Sequence, residues 1–303
     1  MTRTIARFVT ALAALVAGVT PLTAAAQQIA LTFDDLPSHS ALPKGETRVG
    51  VAARVIAALD EADAPPSYGF INGGSVVADP ESGRVLALWR AAGHPLGNHT
   101  WTHMRLDDED RGPFKAEIEL NEPLLGAVMG EADWRWFRYP YLYEGGTSEA
   151  RADVRGFLSG RGYRVASVTL SFDDYAWNEP YARCADKGDA EAIEKLEASY
   201  LASARASLIQ ARARSKAALG RDIPYVLLMH IGAFDARMLP KLLDQYRRDG
   251  ATFVTLEQAQ ADPFYAGDTR TPLGTDQLGL PSFAGEPQGS VIPADLDRLC
   301  RPG

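Results

Sequence analysis

The sequence predicts an α/β protein on a parallel sheet, either a closed barrel or an open doubly wound sheet. Three observations carry that expectation. Short apolar runs alternate with stretches of helical periodicity along the chain, the pattern of successive βα units. The polar clusters with chemical promise fall where those runs stop, and both architectures place their chemistry at the carboxyl ends of strands. No Gly-x-Gly-x-x-Gly follows the first run and no P-loop occurs, so a nucleotide-binding version lacks its usual marker.

Residues 1–26 read as an export signal. Arg3 and Arg7 make a basic start, Phe8 to Val19 form an apolar core, and Ala24-Ala25-Ala26 fits a small-residue cleavage pattern. That run is too short to span a bilayer, and no later stretch approaches the necessary length of about 20 residues. No cysteine stands near the cleavage point to carry a lipid. The expectation is a soluble exported protein, periplasmic or secreted, that begins near Gln27.

Strands are then expected over 29–33, 67–71, 94–98, 135–139, 163–169, 225–229 and 252–255. Helices are expected near 46–62, 81–92, 115–129, 149–160 and 236–249. The connection before the sixth strand differs. From Asp189 to Leu219 the chain is rich in Ala, Glu and Arg with opposite charges at i,i+4, which predicts one long amphipathic helix or a broken pair. A single catalytic domain is expected over 27–265. Beyond it Gly and Pro become frequent, and 266–303 reads as a loosely ordered tail.

Acids outnumber bases 39 to 31, for a formal charge of −8, and removal of Arg3 and Arg7 makes the balance more acidic. That argues against a nucleic-acid or anionic-membrane surface. Cys184 and Cys300 are the 2 cysteines. In an oxidising compartment they can form one disulfide tying the tail to the body; the alternative is two free thiols. Neither has the neighbours of a catalytic thiol or a zinc ligand set.

The first strand ends on the adjacent carboxylates Asp34 and Asp35. Successive strand side chains point to opposite faces, so a bend is needed to aim both inward, and Leu36-Pro37-Ser38 supplies one. After the third strand comes Asn98-His99-Thr100-Trp101-Thr102-His103. Two histidines four apart on a helical turn share a face and can bind one metal. Two His plus one carboxylate leave positions open for water and substrate, as catalysis requires. Asp35 can be that carboxylate, which frees Asp34 to act as a general base. Further clusters follow the fourth strand (Arg138-Tyr139-Pro140-Tyr141), the fifth (Ser171 to Trp177) and the sixth (Leu228-Met229-His230).

In this order, Thr-Phe-Asp-Asp, His-x-x-x-His, Arg-x-Pro-Tyr, Asp followed by an aromatic, and Leu-x-His, the chain resembles the polysaccharide deacetylases. These form carbohydrate esterase family four, with its NodB-homology domain. The resemblance covers roughly residues 28–260, supported by Tyr68-Gly-Phe-Ile-Asn-Gly73 and Gly93-His-Pro-Leu-Gly-Asn98. It implies a distorted (β/α)7 barrel with a divalent metal, usually zinc, held by Asp35, His99 and His103. It implies Asp34 as the base, Arg138 as the residue that keeps Asp34 ionised, and His230 as the acid paired with Asp174. It also implies a backbone N–H near Tyr141 for the oxyanion and Leu228 against the acetyl methyl group. The reaction so implied is removal of N-acetyl groups from amino sugars of an oligo- or polysaccharide, of chitooligosaccharide or peptidoglycan type. An O-acetyl esterase, a non-sugar amidase and a non-catalytic glycan-binding module are the alternatives.

The chain departs from the family pattern in several places. Ser171 replaces the first Asp of the fourth motif, Tyr175 stands where a groove-wall Trp is usual, and Trp177 lies two residues later. Tyr175 and Trp177 are therefore the candidate walls of the sugar groove. Leu36-Pro37 replaces Gly-Pro, and Ile231-Gly232-Ala233 follows the last His where many members are acidic. These features mark a divergent branch. Elsewhere, His94 reads as a structural, hydrogen-bonded residue and Trp134 and Trp136 as core. Trp101 reads as packing beneath its loop, and His39 as a loop residue that could face the cleft.

Overall fold

The computed structural model of the protein describes residues 27–266 and 292–301. The expected export signal at 1–26, and the parts of the expected tail at 267–291 and 302–303, lie outside the described residues. Among the described residues no helix is long and apolar enough to cross a membrane.

Seven parallel strands form one sheet: β1 (Gln27–Leu36), β2 (Tyr68–Ile71), β3 (Leu96–Asn98), β4 (Trp136–Phe137), β5 (Arg164–Val165), β6 (Tyr225–His230) and β7 (Ala251–Val254). The order is β5-β4-β3-β2-β1-β6, with β7 paired to the start of β1. Beyond β5 the chain returns to the sheet at Leu170, which bridges Leu227 of β6. That bridge closes the ring between its two ends, leaving a curled and uneven barrel. The expected 163–169 strand is thus cut to two residues with a separate touch at Leu170. The middle of β1, Ile29 to Phe33 apart from Thr32, and β6 up to His230 are apolar and buried, as strands covered on both faces must be.

The helices around the sheet are α1 (Arg48–Glu61), α2 (Gly73–Ala78), α3 (Arg84–Ala91), α4 (Gly112–Met129), α5 (Ser148–Gly160), α6 (Asn178–Lys187), α7 (Ala190–Leu219), α8 (Ala233–Arg248) and α9 (Leu256–Gln260). Thr47 and Thr147 accept hydrogen bonds from the first-turn N–H groups of α1 and α5 and so satisfy donors the helices cannot. The segment after Asp189 is one unbroken helix of 30 residues. Asp189 caps its start, and Gly220 ends it in the left-handed conformation that a residue without Cβ adopts freely. The expected 81–92 helix begins later, at Arg84, because the short α2 takes the chain just after β2. α6 was not anticipated.

The expectation of a loose tail from 266 onward fails for 292–301. Leu296 is buried against the core, Arg183 of α6 donates to the carbonyl of Asp297 at 2.9 Å, and Cys300 forms a disulfide with Cys184 of α6. Apolar burial and the covalent bond hold this short piece to the body.

Candidate active site

The carboxyl ends of β1, β3, β4 and β6 converge on a cavity of about 340 Å³. Of the 5 histidines in the chain, all but His94 line it. His94 instead stands before β3, where it accepts a hydrogen bond from the Ser67 N–H at 3.1 Å and packs on Trp89.

The bend that aims the acids inward lies within the pair itself. The register of β1 against β2 shifts between Phe33 and Leu36, and Asp35 has φ 63°. Such a bulge sets one extra residue into the strand and re-aims its side chain. Asp34 stays in register beside His230 of β6. Its buried carboxylate receives both contacts of Arg138 Nη1, at 3.1 and 3.2 Å. Arg138 is itself buried and fully engaged. Its Nε donates to the Ala166 carbonyl at 2.6 Å, its Nη2 to Thr32 Oγ1 at 3.0 Å, and its plane lies over Phe70. Burial lowers its proton affinity while the Asp34 charge opposes that fall. A buried guanidinium paired this way fixes Asp34 in place.

His99 and His103 do not share a helical turn. They lie in the loop after β3, where Thr100 and His103 take φ of 63° and 60°. The expectation from i,i+4 spacing is corrected here: two left-handed residues, not a helix, turn the rings together, with centroids 4.9 Å apart. The loop is held from below. Asn72 Nδ2 donates to the carbonyls of His99 and Thr100 at 2.6 and 3.1 Å, and Glu117 of α4 accepts from the N–H and hydroxyl of Thr102. Asn121 and Asn98 complete the network under Thr100. Trp101 packs over Gly73 and Gly74, positions where a side chain would collide with it.

His99 Nδ1 lies 2.8 Å from the Arg138 carbonyl. A carbonyl only accepts, so Nδ1 carries a proton, and Nε2 is the ring nitrogen turned toward Asp35. That Nε2 and the Nε2 of His103 each lie 3.5 Å from Asp35 Oδ1. Burial lowers the proton affinity of His103 despite the nearby Asp35 charge, which favours the neutral form a metal requires. Asp35 Oδ1 is buried without a hydrogen-bond partner. An orphaned carboxylate oxygen facing two imidazole nitrogens is unfavourable unless a cation joins them. Bonds of about 2.1 Å in a tetrahedral site put ligand atoms roughly 3.4 Å apart, so the donors fit a divalent metal.

On the opposite wall, Asp174 is fully buried and binds His230 twice. Its Oδ2 accepts from the backbone N–H at 2.7 Å and its Oδ1 from ring Nδ1 at 2.8 Å. Burial alone would lower the imidazole's proton affinity. The Asp174 charge and hydrogen bond, with Asp35 and Asp34 behind them, win and push its pKa up to about 10. Leu228 and Tyr175 line the cavity, as does Tyr141, which has φ 58° and is 64% exposed. Trp177 does not. It is fully buried, donates to Ser199 Oγ at 2.9 Å and packs edge-on against Tyr200, so its expected place on the groove wall is withdrawn. The polar loop before it takes the wall instead.

His39, which the sequence left as a possible cleft residue, sits inside the cavity with Nδ1 2.9 Å from Asp35 Oδ2. Its four-residue offset from Asp35 was the available signal. Asn72 figured only inside the Tyr68–Gly73 segment with no role given, and Glu117 and Asn121 were missed altogether, since buried polar residues at such spacing carry no local pattern.

The sequence pattern of the family described as polysaccharide deacetylase matches residues 22–157. A chitin deacetylase from Colletotrichum lindemuthianum is 26% identical over 155 residues. That match takes in 50% of this chain and 54% of the relative, so the chain spans about half the length of the curated relative. The solved structure of the chitin deacetylase from that fungus superimposes with a TM-score of 0.53 at 21% identity, over 77% of this chain and 87% of the other. A CE4 family pseudoenzyme from Bacillus anthracis superimposes with a TM-score of 0.53 at 14% identity, over 78% and 66%. The fold is therefore the distorted (β/α)7 barrel of those solved structures, and over residues 22–157 the chain is similar to the polysaccharide deacetylases. Because the same barrel also serves a pseudoenzyme, activity has to be argued from side chains.

Proposed function

We propose that the chain is a metal-dependent hydrolase that removes N-acetyl groups from the amino sugars of an exported or cell-wall glycan. The observation that carries this is Asp35 Oδ1, buried and unpartnered 3.5 Å from two imidazole nitrogens, with Asp34 and His230 at its sides. Asp35, His99 and His103 would hold a divalent cation, zinc being the usual ion for this donor set. When bound, that cation supplies Lewis acidity, making a nearby water more acidic and polarising the acyl carbonyl.

The chain's own residues do the rest. Arg138 holds Asp34 in place at the cavity, where Asp34 can take a proton from the attacking water. His230, held protonated by Asp174, gives a proton to the departing amine. Leu228 offers an apolar seat for an acetyl methyl, and Tyr141 brings a backbone N–H to the same wall for the developing oxyanion. Tyr175 and Tyr141 at the mouth present aromatic faces to a sugar ring. A binding module would need neither a base clamped by a buried arginine nor an acid clamped by a buried carboxylate, which favours turnover. The reading of residues 1–26 supports export to where such glycans lie.

An acetate-release screen tests this reading directly. Protein stripped with a chelator, then reloaded with zinc, cobalt or manganese, is offered chitooligosaccharides, acetylated xylan and peptidoglycan fragments. Release from N-acetylated substrates that vanishes on stripping and returns on reloading is expected. Preference for xylan would transfer the site to ester chemistry, and full activity of stripped protein would refute the metal.

A further inference from the structure

The metal seat accounts for one oxygen of Asp35, and the other is bonded to a residue outside the ligand set. We propose that His39 is a positioning residue that divides the Asp35 carboxylate, taking Oδ2 by a hydrogen bond and so reserving Oδ1 for the cation. This rests on the metal reading above and deepens it. An ionised carboxylate only accepts, so the proton in the 2.9 Å contact belongs to His39 Nδ1. With Oδ2 held, Asp35 cannot swing to present both oxygens to the cation. The arrangement follows the general pattern in which hydrogen bonds to a ligating group set its orientation and strengthen metal binding.

The loop that carries His39 is itself braced. Arg48 of α1 donates Nη1 to the His39 carbonyl at 2.7 Å and Nη2 to that of Ser40 at 2.5 Å. The Ser38 N–H returns to the Asp35 carbonyl at 2.8 Å. Further along, the N–H groups of Ala41 and Lys44 donate to Glu179 and Asp186 of α6 at 3.1 and 2.7 Å. Five contacts therefore fix a loop whose inward-pointing side chain is His39. The imidazole also lies 4.7 Å from the His230 ring, centroid to centroid. Asp35, His39 and His230 could form a second donor set. Asp174 opposes it, because a His230 kept protonated has no lone pair to give.

The test compares wild type, His39→Ala and His39→Asn, whose side-chain amide can donate from near the place of Nδ1. Cobalt affinity is read by chelator competition, the ligand field from the visible cobalt spectrum, and folding from the melting temperature of stripped protein. His39→Ala should bind cobalt about 10- to 100-fold more weakly with a changed spectrum. His39→Asn should recover most of the affinity, and all three stripped proteins should melt alike. Equal affinity in wild type and His39→Ala would overturn the inference alone. So would failure of His39→Asn alongside loss of a nitrogen ligand from the spectrum, since His39 would then be a ligand. Wild type that binds no cobalt would instead sink the metal reading and this inference with it.

Discussion

Asp34 and Asp35 are neighbours in one bulge, and what each is given to bond separates their duties. Asp34 faces a buried guanidinium; Asp35 faces imidazoles and keeps one oxygen unpaired. Burial pushes the Asp35 carboxyl up, but the His39 hydrogen bond and the His99, His230 and His103 rings outweigh it and hold it well below the usual carboxylate range. The pair was legible in the sequence because adjacent acids at a strand end, with two histidines and an arginine at other strand ends, have few other uses. His39 was not, because its role depends on a loop path that only the packing against α1 and α6 defines. His230 allows a test at this scale. Its folded-state pKa, raised from 6.5 to about 10, means that the His230–Asp174 contribution to stability is complete below about pH 6.5 and lost as pH rises through about 10. Stripped wild-type protein should therefore lose melting temperature between pH 7 and 10 more steeply than His230→Gln. Parallel melting curves across that range would contradict the assignment.

At the scale of elements, the loop after β3 matters most. The i,i+4 reading of His99 and His103 identified two residues that meet, but by the wrong geometry. Left-handed backbone at Thr100 and His103 does what a helix was expected to do, and no spacing rule reports it. What holds the loop is Trp101 over α2 and the polar network from Asn72, Asn121 and Glu117. A methyl group at Gly73 would collide with the Trp101 ring and with Asn121. Gly73→Ala should therefore cost about 1–3 kcal/mol in urea unfolding and weaken metal retention in chelator competition. Gly126→Ala, in open space on α4, serves as the control and should do neither. If Gly73→Ala kept wild-type stability and metal affinity, the bracing role of Trp101 would be refuted. Helix caps were legible in outline, since Thr47, Thr147 and Asp189 all stand just before their helices.

Across the whole molecule, the alternation of apolar runs and helical periods was enough to place all seven strands, because a strand covered on both faces must be apolar along its length. Their lengths were not legible: β4 and β5 keep two residues each, and closure depends on a single bridge at Leu170. The attachment of 292–301 was legible only as one of two fates for Cys184 and Cys300, the disulfide that forms; the buried Leu296 beside it leaves no periodic trace. The barrel brings to one end residues as distant in sequence as Asp34 and His230, side by side in register. The central claim is that these side chains make a hydrolytic site in which Asp35 serves the metal and Asp34 the proton. Asp34→Asn tests it most directly, with metal content and acetate release measured on the same sample. The account predicts full metal loading with release reduced about 10²- to 10⁴-fold; a variant that holds metal and still releases acetate at the wild-type rate would contradict it.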